Sequence, residues 1–105
     1  MKEVSVDELQ ELIDKKADFQ LIDVREVSEY EQANIKGELI PVQTIPNNID
    51  KIAKDKQVII MCRSGKRSAN AVAFLEQQGD FDNLYNLTGG ILDWKIEIDN
   101  SLDVQ

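Results

Sequence analysis

In the stretch Gln57-Val58-Ile59-Ile60-Met61-Cys62-Arg63-Ser64-Gly65-Lys66-Arg67-Ser68-Ala69-Asn70-Ala71-Val72 the chain changes character at a single residue. Val58 to Met61 are uniformly apolar, as a central parallel strand covered on both faces requires. Cys62, the only cysteine of the chain, ends that run, and three cations, a glycine and two serines follow within six positions. Ala69, Val72, Ala73 and Leu75 then form the inner face of a helix that the pattern opens at Ser68 and Gly79 stops. A helix start presents unpaired N–H groups and a partial positive charge, so it favours anions. A thiol there ionises more readily than a free cysteine, and the thiolate is the reactive form.

Working outward, Ser5 and Glu8 have the spacing of a capping box, and Val6, Leu9, Leu12 and Ile13 recur at helical intervals up to Lys15 and Lys16. Phe19 to Val24 reads as a strand ending near Asp23. A brief helix carrying Tyr30 and Ala33 follows, then a turn at Gly37 and a short strand over 38–41. Pro46 suits the first turn of another helix, with Ile49, Ile52 and Ala53 as its stripe. Leu84 to Leu87 is the last strand, followed by Thr88-Gly89-Gly90 and a short helix with Trp94. Strands alternating with helices define an α/β layered fold with a parallel sheet and right-handed crossovers. Ligands of such sheets bind at the carboxyl ends of the strands. Asp23, Cys62 and the loop after Leu87 are therefore expected on one rim.

Composition narrows the function classes. A chain of 105 residues is read as one domain. Its net charge of −8 at pH 7 argues against nucleic acid or an anionic membrane as partner, and it sets Arg63, Lys66 and Arg67 apart as a local basic exception. No signal peptide or membrane span is apparent, and a lone cysteine excludes an internal disulfide or a Cys-x-x-Cys motif, so a cytoplasmic location is expected. The chain has no histidine. That removes hydrolases relying on a histidine base and most zinc sites, and no cofactor is expected. Peptide dipoles and cations alone must activate Cys62, which points to anionic substrates or intermediates.

Gly65 supplies the conformational freedom that a tight ring of converging amides needs. Arg67 is the candidate for a planar grip on an oxyanion, and Ser64 and Ser68 for hydroxyl donors to the sulfur or its cargo. Such a loop stabilises a thiolate, a bound oxyanion or a terminal persulfide sulfur. Arg63 and Lys66 read equally as solvated loop charges. Asp23 and Arg25 read as an ion pair or cap pinning the rim, in preference to catalysis. Gly89-Gly90 reads as a tight turn, Trp94 as core, and Tyr30 and Tyr85 as packing.

Leu21-Ile22-Asp23-Val24-Arg25-Glu26, Glu29-Tyr30, Ile35-Lys36-Gly37, Cys62-Arg63-Ser64-Gly65-Lys66-Arg67-Ser68, Leu87-Thr88-Gly89-Gly90 and Trp94, in that order, resemble a single-domain rhodanese-like protein. The resemblance runs from about Val4 to Trp94 and implies a three-layer fold whose five-stranded parallel sheet is flanked by helices. It implies a sulfurtransferase in which Cys62 takes sulfane sulfur from thiosulfate or a persulfide donor. The sulfur then passes to cyanide, a thiol or an acceptor protein, in ping-pong covalent catalysis. One turn departs from the family pattern: Asn34 stands at its histidine position and Glu38 at the alanine after its glycine.

Related folds hold phosphate in a Cys-x-x-x-x-x-Arg loop, but only four residues separate Cys62 from Arg67, and Met61 is neither the histidine nor the acid of such phosphatases. Arsenate reduction lacks a second cysteine to resolve a disulfide. A non-enzymatic relay holding persulfide for one partner remains a third reading, indistinguishable from an enzyme by sequence.

Overall fold

A computed structural model describes residues 1–104. Strand β1 (Glu3–Val4) leads into α1 (Val6–Asp14), followed by β2 (Phe19–Asp23), α2 (Val27–Gln32) and β3 (Glu38–Leu39). Two 3-10 segments, Val42–Asn47 and Ile49–Lys51, precede β4 (Gln57–Met61), α3 (Lys66–Gln77), β5 (Leu84–Leu87) and α4 (Gly90–Glu97). All strands pair in parallel, in the order β1-β5-β4-β2-β3, which puts the strand before Cys62 at the centre. The chain thus adopts the expected α/β architecture.

Alternation along β4 explains its uniformly apolar sequence. Val58, Ile60 and Cys62 enter the core shared with Ala71, Val72 and Leu75 of α3, with Ile45 of the first 3-10 segment and with Ile52 just after the second. Ile59 and Met61 enter the opposite core, with Leu9 of α1 and Ile91 and Trp94 of α4. Burying each such side chain contributes about 1.5–3 kcal/mol. Among the described residues no helix is long and apolar enough to cross a membrane.

The capping box is present: Glu8 N–H donates to Ser5 Oγ at 3.1 Å and Ser5 N–H to Glu8 Oε1 at 3.0 Å. The expected stripe of α1 fades at its end, where Ile13 lies 42% exposed because the helix stops at Asp14. β1 escaped the sequence pattern, since two residues carry no periodicity; it pairs Glu3 with Asn86 and Val4 with Leu87.

Two further expectations are corrected. The segment around Pro46 is not an α-helix begun by that proline. Pro46 sits inside the first 3-10 segment, and Thr44 N–H donates to Pro41 O while Asn48 N–H donates to Ile45 O, each three residues back. Proline has no N–H to give and its ring crowds the carbonyl four residues earlier, so an α-helix through it is disfavoured. Helix α3 begins at Lys66 with Gly65 as its N-cap, two residues before the expected Ser68. Its buried face is Ser68, Ala71, Val72 and Leu75, at helical spacing, whereas Ala69 and Ala73 are half-buried. A serine inside the apolar stripe hid the true face.

Candidate active-site loop

Cys62 leaves β4 with its side chain buried, 1% exposed, and its sulfur lies within the turn that follows. Gly65 N–H donates to Sγ at 3.1 Å and Ser68 N–H at 3.4 Å; Ser68 Oγ lies 3.3 Å away. Gly65 makes this turn possible. Its φ is +100°, a left-handed conformation that costs little only without a Cβ. The first turn of α3 then points free amides at the sulfur. Burial pushes the Cys62 thiol up, but hydrogen bonds from the N–H groups of Ser68, Gly65 and Ser64 together hold it below its ordinary value.

The loop is fixed from behind by α4. Ile91 N–H donates to Cys62 O at 3.0 Å and Leu92 N–H to Arg63 O at 3.1 Å, so one helix start satisfies carbonyls that the loop exposes. Gly90 permits that approach: a Cβ there would stand 2.5 Å from both carbonyl oxygens. The Gly89-Gly90 pair therefore does more than turn the chain. Asn86 of β5 closes the third side, donating through Nδ2 to Gly65 O at 3.1 Å and accepting from Ser68 Oγ at 2.5 Å.

The Arg67 guanidinium, the expected grip for an oxyanion, is engaged by a carboxylate. It makes a two-pronged pair with Glu29 of α2, Nη1 to Oε1 at 2.7 Å and Nη2 to Oε2 at 2.9 Å. The pair holds the Glu29 carboxyl down to about 2, first through this hydrogen bond, and raises Arg67. Glu29 consequently stays ionised at neutral pH. The stability it contributes is present above the ordinary carboxylate value and is lost as pH falls through about 2.

Of the residues singled out in the sequence, Cys62, Ser64, Gly65 and Ser68 gather around the sulfur, Ser64 through its N–H. Arg63, Ser64 and Lys66 have exposed side chains. Asp23 and Arg25 form a fully buried pair at the end of β2, with Arg25 Nη2 to Asp23 Oδ2 at 2.9 Å. Arg25 also donates to Ala33 O at 2.8 Å and Glu29 O at 3.4 Å, which ties α2 to the rim. Tyr30 does more than pack, since its hydroxyl donates to Gly37 O at 2.8 Å. Asn86 was missed; its signal was a polar residue inside a strand flanked by Tyr85 and Leu87. Among the described residues no cluster of three or more His, Cys, Asp or Glu is arranged to hold a metal ion.

A family model described as Rhodanese-like domain matches residues 5–97, and the chain belongs to that family. A sulfurtransferase of Allochromatium vinosum is 38% identical over 95 residues, spanning 90% of this chain and 88% of its own. Thiosulfate sulfurtransferase GlpE of Shewanella oneidensis is 29% identical over 94 residues, spanning 89% and 91%. The crystal structure of a rhodanese-like domain protein from Staphylococcus aureus superposes with a TM-score of 0.83 at 32% identity, covering 100% of this chain and 99% of the other.

Proposed function

We propose that this protein transfers sulfane sulfur through a persulfide on Cys62, taking it from thiosulfate or a persulfide donor. The observation that carries the reading is the sulfur at the mouth of α3, accepting the Gly65 and Ser68 amides. The Cys62 thiolate attacks the outer sulfur of thiosulfate. A Cys62 S–S bond forms, the S–S bond of thiosulfate breaks, and sulfite leaves with the electron pair. The outer sulfur of the persulfide then occupies the ring of N–H donors. A nucleophilic acceptor, cyanide or a thiolate, attacks it and returns Cys62 as thiolate. Incubation with thiosulfate should add one sulfur atom to the intact mass, and cyanide should remove it as thiocyanate. Aryl phosphate hydrolysis without any sulfur uptake would overturn the assignment in favour of phosphate chemistry.

The Glu29–Arg67 pair favours a second emphasis, in which the natural donor is a protein or low-molecular persulfide and thiosulfate serves less well. A carboxylate on Arg67 cancels positive charge that a dianion would use. Glu29→Gln should therefore lower the KM for thiosulfate about two- to fivefold with little change in kcat. Steady-state kinetics decides this; a raised KM would mean that Glu29 aims Arg67 at the donor.

A further inference from the structure

Asn86 and Ser68 are both buried, beside the sulfur. The Asn86 amide has a determined orientation, because Nδ2 donates to the Gly65 carbonyl and a carbonyl only accepts. Oδ1 is thereby the atom that meets Ser68 Oγ, at 2.5 Å. A serine hydroxyl has one proton. Committed to Asn86, it is withheld from Cys62 Sγ, which lies 3.3 Å from the same oxygen.

We propose that Asn86 is a positioning residue that sets the protonation of Cys62: by holding the Ser68 proton it turns the hydroxyl's lone pair toward the sulfur. This rests on Cys62 being the sulfur carrier. In the thiol, S–H donates to Ser68 Oγ, Ser68 donates to Asn86 Oδ1, and every group is satisfied. In the persulfide the charge resides on the outer sulfur, and the inner sulfur needs no donor from Ser68. The bare thiolate is the state the trio opposes. Either a lone pair faces its charge, or the hydroxyl rotates and leaves the buried Oδ1 without a partner, a desolvation penalty. The amides draw the thiol down and Asn86 limits how far. Sulfur is consequently held more firmly on Cys62 than the amide ring alone would dictate.

Charged groups around the trio are Arg63, Lys66 and Arg67 after the sulfur, Glu29 of α2 on Arg67, and Asp93 of α4 beside Gly89. Replacing Asn86 changes none of them.

The test titrates Cys62 through its Cβ chemical shift, unambiguous for a sole cysteine. Asn86→Val should lower the Cys62 pKa by about 0.5 to 1, the size of one neutral hydrogen bond. Ser68→Ala should not raise it and should lower it by at most about 0.5, since that proton serves Asn86 and only a lone pair faces the sulfur. In the Ser68→Ala background, Asn86→Val should add less than about 0.2. A rise in Asn86→Val, or an equal drop with and without Ser68, overturns the proposal. So does a rise of about 1 in Ser68→Ala, and this variant decides alone if Asn86→Val does not fold. The titration needs no sulfur transfer. Its failure removes the role of Asn86, whereas failure to take sulfur from thiosulfate removes the proposed function and leaves the titration valid.

Discussion

Cys62→Ser is expected to abolish sulfur uptake from thiosulfate, with kcat/KM for thiocyanate formation down by at least about a thousandfold. Oxygen is the wrong atom for both half-reactions. A serine hydroxyl stays protonated at neutral pH, and its attack would build an S–O bond in place of the S–S bond that stores sulfane sulfur. The fold should survive. Serine fills nearly the same volume and accepts the same Gly65 and Ser68 N–H groups, so thermal unfolding should move by only a few degrees. Intact mass after incubation with thiosulfate separates the outcomes: wild type gains one sulfur and the variant gains none. If both gain it equally, the sulfur is not carried on Cys62. In wild type the uptake rate should climb with pH as the thiolate forms, with its midpoint at lower pH than that of a free cysteine thiol. That sign follows from a thiol held below its ordinary value by the loop amides.

Much of this was legible in the sequence, for a physical reason. A strand buried on both faces must be apolar throughout, so Val58 to Met61 announced the central position that β4 occupies. Gly65 announced a backbone conformation that other residues resist, and the structure has it at φ +100°. What escaped depended on contacts between distant segments. Arg67 and Glu29 lie 38 residues apart, and nothing local indicates that an arginine placed to grip an anion is already held by a carboxylate. Asn86 meets Ser68 only because β5 lies beside β4. Gly90 reads as a turn residue until α4 is seen to pack its first amides onto the Cys62 and Arg63 carbonyls. Ser68 reads as a hydroxyl donor, yet it also sits on the buried face of α3, where Val72 and Leu75 are as expected and Ala71 takes the place of Ala69 and Ala73.

Arg25→Ala is the substitution expected to damage the fold most. Arg25 Nε lies 3.0 Å from Asp23 Oδ1 and Nη2 lies 2.9 Å from Oδ2, with the arginine 2% and the aspartate 0% exposed. Removing the guanidinium leaves Asp23 with the Arg25 N–H at 3.0 Å as its remaining donor and strips the Ala33 carbonyl of its donor, while the Glu29 carbonyl keeps the Ala33 N–H at 3.2 Å. Uncompensated buried charge of this kind costs about 3–5 kcal/mol, set against roughly 5–15 kcal/mol for a whole domain. For a chain of this size that is a fall in Tm of about 15–30 °C. The pair as such is a weaker stabiliser than that figure suggests. Asp23→Leu with Arg25→Met removes both charges and should restore much of the loss, because no charge is then stranded. Comparing the two variants by thermal and denaturant unfolding isolates the electrostatic part. Function should follow the same line, since Arg25 anchors α2, α2 carries Glu29, and Glu29 holds Arg67 at the loop. An Arg25→Ala protein that loses less than about 1 kcal/mol would mean that water reaches Asp23 in solution, and that the rim is held by the strands alone.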